Sequence, residues 1–260
     1  MKRKHGWKPD HRDHRDHVFK KAEGTVLPVK FDLRKMCPHK IQDQGQLGSC
    51  TANAIAAAIQ FDLLKQGLHP YFFVSRLFVY YNERDMEGTT STDSGAAIRD
   101  GIKTINTLGV CSETLWPYSD ANPGPFSTKP SAAAYTEALK ARSLNYQSVP
   151  QTLDAMKACI VSKTPFVLGF TVYESFESDA VAQTGVVPMP AKGERVMGGH
   201  AVLCVGYDDA TQRFVCRNSW GASWGMGGYF TIPYAYLTNP RLASDFWAIN
   251  VMADSIVGAP

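Results

Sequence analysis

No run of apolar residues in this 260-residue chain approaches the length of a membrane span. The basic start, Met1-Lys2-Arg3-Lys4, is not followed by an apolar h-region, so no signal peptide is visible. A net charge of +3 is too small to argue for a nucleic-acid partner. Six cysteines are too few for a disulfide scaffold, and Cys37, Cys111 and Cys159 show no metal-ligand spacing, so neither a metal nor a cofactor is expected. Cys204 and Cys216 lie in apolar, strand-like runs and read as buried free thiols, though they could face each other across a hairpin. With 44% hydrophobic and 20% charged residues, the chain is long and apolar enough to bury a substantial core.

Residues 1–24 differ in character from the rest of the chain. His11-Arg12-Asp13-His14-Arg15-Asp16-His17 alternates in charge, and four of the seven histidines fall within the first seventeen residues. This segment reads as a solvated arm or as a pro-segment packed on the body through Trp7 and Phe19. The body, 25–260, opens with helical signals. Ser49 is a candidate N-cap for a helix with Ala52, Ile55, Ala56, Ile59 and Leu63 at helical spacing, closed by Gly67 and Pro70. Ser75–Met86 predicts a second helix. A third is capped by Ser94, carries Ile98, Ile102 and Ile105 on one face, and ends at Gly109. Ala132–Arg142 and the stretch with Leu153, Met156 and Ile160 predict two more, after a proline-rich loop from Trp116. The pattern then changes to strands: Phe166–Val172, His200–Tyr207, Arg213–Ser219, Tyr229–Ile232 and Phe246–Val251. The expected fold is α+β in two lobes, helical at about 38–145 and β-rich at about 146–260 with 25–37, and a cleft between them.

Chemistry concentrates at Cys50, in the run Gln44-Gly45-Gln46-Leu47-Gly48-Ser49-Cys50-Thr51-Ala52. A thiol at a helix start meets unpaired backbone N–H groups and the positive end of the dipole, which favours thiolate. Gln44 can place an amide N–H beside the same sulfur as an oxyanion donor. The nucleophile needs a base. His39 and His69 sit in loops beside prolines, whereas His200 follows Gly198-Gly199 and opens the apolar run Ala201–Val205. A strand returning antiparallel from His200 brings Asn218 beside it to orient the ring, with Trp220 as a cover that keeps water from the hydrogen bond.

Gln44 to Cys50, His200-Ala201-Val202, Val205-Gly206-Tyr207, Asn218-Ser219-Trp220-Gly221, Trp224-Gly225 and Gly228-Tyr229 together resemble the papain-like cysteine proteases, over most of the chain from about Phe31. The resemblance implies a two-lobed fold, with a helical lobe carrying Cys50 and a β-barrel-like lobe carrying His200. It also implies peptide hydrolysis through an acyl-enzyme, with Cys50 as nucleophile, His200 as acid and base, Asn218 as orienter and Gln44 as oxyanion donor. Gly95 is the matching position for pairing with substrate backbone. Ala96, Ala97 and Ala201 would border a pocket for a bulky apolar P2 residue, and Trp224 would line the leaving-group side. His200 and Asn218 stand 150 and 168 residues after Cys50, against a family spacing of about 130–150. Leu47 stands where the family has a cysteine and Thr51 where it has an aromatic, so a disulfide beside the nucleophile is lost. Gly199 stands where Asp or Asn is common. Expected partners are protein or peptide substrates, with no nucleic acid and no membrane span. The resemblance favours secretion, and residues 1–24 would hold the enzyme inactive as a zymogen. The rival functions are deamidation or transglutaminase-like acyl transfer by the same thiol, and a catalytically silent binding protein of this fold.

Overall fold

The computed structural model describes residues 3–11, 13–68, 71–121, 123–141 and 144–251. His69, Pro70 and Arg142 lie outside the described residues. In chain order the elements are β1 (Trp7–Lys8), β2 (Lys30–Asp32), α1 (Cys50–Gln66), α2 (Arg76–Met86), β3 (Ala96–Ala97), α3 (Ile98–Leu108), α4 (Ala132–Ala138), β4 (Leu144–Ser148), α5 (Leu153–Val161), β5 (Phe166–Tyr173), α6 (Asp179–Thr184), β6 (Val196–Asp208), β7 (Arg213–Arg217), β8 (Tyr229–Pro233), α7 (Tyr234–Leu237) and β9 (Ala243–Val251).

Helix α1 is the centre of the molecule. Every residue from Cys50 to Leu63 is buried. Its alanines at 52, 54, 56, 57 and 58 present so little bulk that neighbours close on all sides, which is why it lacks a polar face. Gly67, at φ 63°, ends it in the left-handed conformation and returns its N–H to Leu63 and Leu64. Helix α3 is instead amphipathic, burying Ile98, Ile102 and Ile105.

The main sheet runs β4-β9-β5-β6-β7-β8 and is open rather than closed into a barrel. All its pairings are antiparallel. Strand β5 pairs with β6 from Val196 to Cys204, and β2 takes up Gly206 to Asp208 beyond it. Cys204 and Cys216 are direct cross-strand partners on β6 and β7 and remain free thiols in the core. The chain is thus mixed α+β, as its pattern predicts.

Three local expectations are corrected. Ser49 does not cap α1 through its side chain; its Oγ meets the Tyr118 hydroxyl at 2.6 Å and accepts from Asn53 Nδ2 at 3.1 Å. Helix α3 starts later than Ser94, with Ala97 as its extended N-cap, because the Ser94 hydroxyl is taken by Thr89 Oγ1 and the Gly95 carbonyl. Helix α4 ends at Ala138, so the predicted Ala132–Arg142 helix is overlong. By contrast Ser75 caps α2 by accepting from the Phe78 N–H.

Candidate active site

Cys50 begins α1 and is wholly buried. Backbone N–H groups of Thr51, Ala201 and Gly6 face its sulfur. The Ala201 contact means that β6 is laid against the start of α1, so the residue before it, His200, is delivered to the same place. The β6–β7 hairpin then brings Asn218 across, because Leu203 opposes Arg217. Asn218 Oδ1 lies 2.8 Å from His200 Nε2. The other ring nitrogen, Nδ1, is buried and has no hydrogen-bond partner among the described residues. Trp220 is 3% exposed and tilts 33° over the imidazole at 5.0 Å, shielding the His200–Asn218 bond from water. Gln44 is buried too. Its Oε1 accepts from Ser219 Oγ at 2.7 Å, which turns its Nε2 toward the Leu47 carbonyl at 2.9 Å and the Lys4 carbonyl at 3.2 Å. Trp224 packs edge-on against Trp220 and Phe230 and tilted against Phe176, and lines a pocket of about 570 Å³ beside the arm with Arg3, Glu177 and Met197.

The residue that carries the Lys4 carbonyl belongs to the N-terminal arm, and the arm lies in the cleft. Gly6 is pressed between Gly48 and Gly95: a Cβ at Gly6 would stand 1.6 Å from the Gly48 carbonyl oxygen, and one at Gly95 1.9 Å from the Gly6 oxygen. Only glycines allow backbones this near. Strand β1 pairs parallel with β3, and the Ala96 N–H donates to the Gly6 carbonyl at 2.8 Å. Gly95 borders the arm, but its own N–H goes to the Tyr80 hydroxyl at 3.2 Å, and Ala96 supplies the backbone bond. The Trp7 ring lies on Gly169 and Gly199, where added Cβ atoms would fall 1.9 and 2.6 Å from it. Its Nε1 donates to Asp245 Oδ2 at 3.0 Å. Gly199, the departure from the family pattern, thus makes room for the indole. Ala97 and Ala201 are buried.

Carboxylates receive the arm along its length. Arg3 pairs with Asp43 at 2.5 Å, Lys4 with Asp93 at 2.8 Å, His5 Nε2 with Glu177 at 2.8 Å and Lys8 with Glu87 at 2.8 Å. Beyond the cleft, Asp10 accepts from the Arg99 N–H and from Trp247 Nε1. Arg99 binds Asp16 and the His11 carbonyl, and residues 17–19 dock on β4 through two backbone bonds with Ser148. Trp7 and Phe19 are partly buried and pack on the core. None of the five cleft carboxylates was visible as a site in the sequence; they are scattered over two hundred positions, and the basic character of residues 2–8 was their one signal.

Burial governs protonation here. It pushes the Cys50 thiol up to about 11 against the three facing N–H groups. It pushes His200 down to about 3, with the charge of His5 acting in the same direction and the Asn218 bond opposing. With the arm seated, a neutral thiol and a neutral imidazole are favoured over the ion pair. Burial and the neighbouring Asp245 raise Asp10 to about 7. Burial likewise raises Glu83, under the start of α1, to about 8, against a 2.6 Å hydrogen bond from Thr51.

Among the described residues no helix is long and apolar enough to cross a membrane. Residues 27–245 match the family model of papain family cysteine proteases. An uncharacterized peptidase C1-like protein of Acanthamoeba polyphaga mimivirus is 46% identical, over 89% of this chain and 78% of its own length. A cathepsin B-like protein of Giardia intestinalis is 31% identical over 81% and 71%. The structure superposes on xylellain, a cysteine protease from Xylella fastidiosa, with a TM-score of 0.90 and 45% identity, covering 95% of this chain and 96% of that one. A procathepsin B from Trypanosoma congolense, 19% identical with a TM-score of 0.72 over 96% and 86%, shares the fold. An α+β core, a thiol at the head of its central helix and a histidine–asparagine pair set against it meet in a chain whose sequence matches the same family throughout its body: this protein belongs to the papain family and is a cysteine protease.

Proposed function

We propose that Cys50, His200, Asn218 and Gln44 carry out the peptide hydrolysis and that the N-terminal arm holds the enzyme closed. Once the cleft empties, water and the substrate replace the arm, and a Cys50 thiolate paired with protonated His200 becomes accessible. The thiolate attacks the scissile carbonyl. The resulting oxyanion is held by the Gln44 side-chain N–H and the Cys50 backbone N–H. His200 gives its proton to the leaving amine, then takes one from water as that water cleaves the thioester. Asn218 fixes which ring nitrogen faces the sulfur. The observation that carries this reading is the division of labour on one imidazole: Nε2 is held by Asn218, while Nδ1 is buried, unpaired and on the strand whose next N–H faces Cys50.

The arm binds without being a substrate. The carbonyl on Gln44 is that of Lys4, whereas the group facing the sulfur is the N–H of Gly6, two residues on. A productive peptide presents a single carbonyl to both. The test is labelling of the full chain by an epoxide thiol inhibitor and hydrolysis of a fluorogenic peptide, before and after limited proteolysis of the arm. Labelling is expected to vanish in Cys50→Ala, and both readouts to rise after arm cleavage. Labelling that survives Cys50→Ala refutes the nucleophile, and equal rates before and after cleavage refute the closed state.

A further inference from the structure

We infer that Tyr118 is a positioning residue for the oxyanion site: its hydroxyl ties together the two ends of the segment that carries both proposed donors, Gln44 and Cys50, and keeps their N–H groups aimed at one oxygen. The inference rests on the oxyanion roles proposed for those two residues. A single substrate oxygen has to meet an N–H from the Gln44 side chain and an N–H from the Cys50 backbone. Different parts of the fold carry the two. Cys50 is the first residue of α1, whereas Gln44 is tied to the turn after β7, its N–H donating to the Ser219 carbonyl at 2.8 Å and its Oε1 accepting from Ser219 Oγ at 2.7 Å. Five residues lie between them, and Gly45, at φ 57°, takes a conformation that few side chains adopt.

Tyr118 bridges that segment with one hydroxyl. It donates to the Gln44 carbonyl at 2.8 Å and, with its one proton placed there, accepts from Ser49 Oγ at 2.6 Å. The Ser49 carbonyl carbon bonds the Cys50 nitrogen, so one oxygen atom holds the backbones of both donors. Asn53 Nδ2 donates to the Ser49 carbonyl at 2.9 Å and to its Oγ at 3.1 Å. Asn53 Oδ1 accepts from Arg76 Nη1 at 3.1 Å, and the same nitrogen donates to the Asp43 carbonyl at 3.0 Å. The Arg76 guanidinium lies 3.8 Å over the Tyr118 ring, so the circuit of contacts returns to its start. The phenol itself is placed from outside the segment. Ser75 Oγ, at the head of α2, donates to the Trp116 carbonyl at 2.6 Å, Pro117 restricts the backbone that follows, and Asp120 accepts from the Gln46 N–H at 3.0 Å. Tyr118 acts through Gln44 and Ser49 rather than on the substrate, and a shift of about 1 Å in such a group can cost about a hundredfold in rate.

The experiment compares Tyr118→Phe with its parent in the full-length Gly6→Ala protein, whose arm is expected to leave the cleft. Two reactions of the same sulfur are measured: hydrolysis of a fluorogenic peptide amide, and alkylation of Cys50 by iodoacetamide. Alkylation displaces iodide at a saturated carbon and forms no oxyanion. Phenylalanine keeps the ring under Arg76 and removes only the hydroxyl. The kcat is expected to fall about tenfold to a hundredfold, less than or equal to the loss from deleting a donor, with KM little changed. The alkylation rate and the shape of its pH profile are expected to stay as in the parent. A merely loosened fold lowers both reactions together, and their ratio on one protein cancels any loss of folded fraction. In a Gln44→Ala background Tyr118→Phe is expected to cost far less, because one donor alone remains to be aimed. An unchanged kcat, an equal fall in alkylation and hydrolysis, or full additivity with Gln44→Ala overturns the inference. Undiminished hydrolysis in Gln44→Ala alone refutes the oxyanion role of Gln44, and this inference with it. Alkylation of Cys50 in a parent that hydrolyses no peptide refutes the peptidase reading on which both stand.

Discussion

Gly6→Ala adds one methyl group to the arm and is expected to open the cleft. In the seated arm that carbon would lie 1.6 Å from the Gly48 carbonyl oxygen and 2.4 Å from its carbon. A relaxed contact needs about 3.5 Å, so one backbone must retreat by roughly 2 Å. Gly48 is the less able to move. Its N–H is held by Asp93, which is itself held by the Tyr80 hydroxyl at 2.5 Å, and the chain runs straight from it into α1. The arm yields instead, and with it go the bonds from Ala96 to the Gly6 carbonyl and from Gln44 to the Lys4 carbonyl. Overpacking costs about 1–3 kcal/mol and each lost hydrogen bond about 0.5–1.5 kcal/mol. A loss near 3 kcal/mol is on the order of a hundredfold in the docking equilibrium. The second-order rate of Cys50 modification by an epoxide inhibitor should rise accordingly, with little change in the melting temperature of the body. A rate within threefold of the parent chain, with the protein folded, would refute the wedge argument and with it the role of the arm.

Gln44→Ala removes the proposed oxyanion donor and should lower turnover of the arm-displaced protein by about 100- to 1000-fold, read by fluorogenic hydrolysis; retained activity sinks the assignment. Asn218→Ala should reduce turnover while leaving epoxide labelling detectable, since it frees the ring without removing sulfur or base; unchanged pH–rate profiles would count against the orienting role. Docking of the arm should weaken with rising pH, because Asp10 sits at about 7 when seated and about 3.9 when free. The seated form binds the extra proton, so docking is strongest below about pH 4 and is lost progressively toward pH 7; the hydrogen-exchange protection of the Ala96 amide reports it, and protection that grows over this range contradicts the sign. Glu83, at about 8 when folded, should likewise lower global stability as pH rises from about 4.3. Glu83→Gln removes that slope, so its melting temperature relative to the parent should be higher at pH 8 than at pH 5.

Local periodicity and turn chemistry were enough to read α1, α2, α3 and the β6–β7 hairpin, because each is built from residues near one another in sequence. The His200–Asn218 pair came with the hairpin, since a short antiparallel return fixes its register. What escaped the sequence depends on which partner each side chain or strand finds, a few residues away or across the chain. Ser49 and Ser94 have the side chains of caps, but Tyr118, Asn53 and Thr89 take them elsewhere. Strand β4 shows no strong alternation and pairs with a strand about a hundred residues on. Asp245 meets Trp7 across 238 positions, and no local pattern announces such a pair.

The arm is tied to the body at both ends of its course, in the cleft at residues 3–8 and on β4 at residues 17–19. A tethered ligand of this kind faces its site at an effective concentration on the order of millimolar, whatever the concentration of protein in solution. In the proposed closed state, closure is therefore independent of dilution, and any substrate must compete with an occupant that never diffuses away. On that proposal, one cut between the two attachments changes the order of the reaction: rebinding becomes bimolecular, the freed peptide is diluted, and a reversible closure becomes a one-way opening.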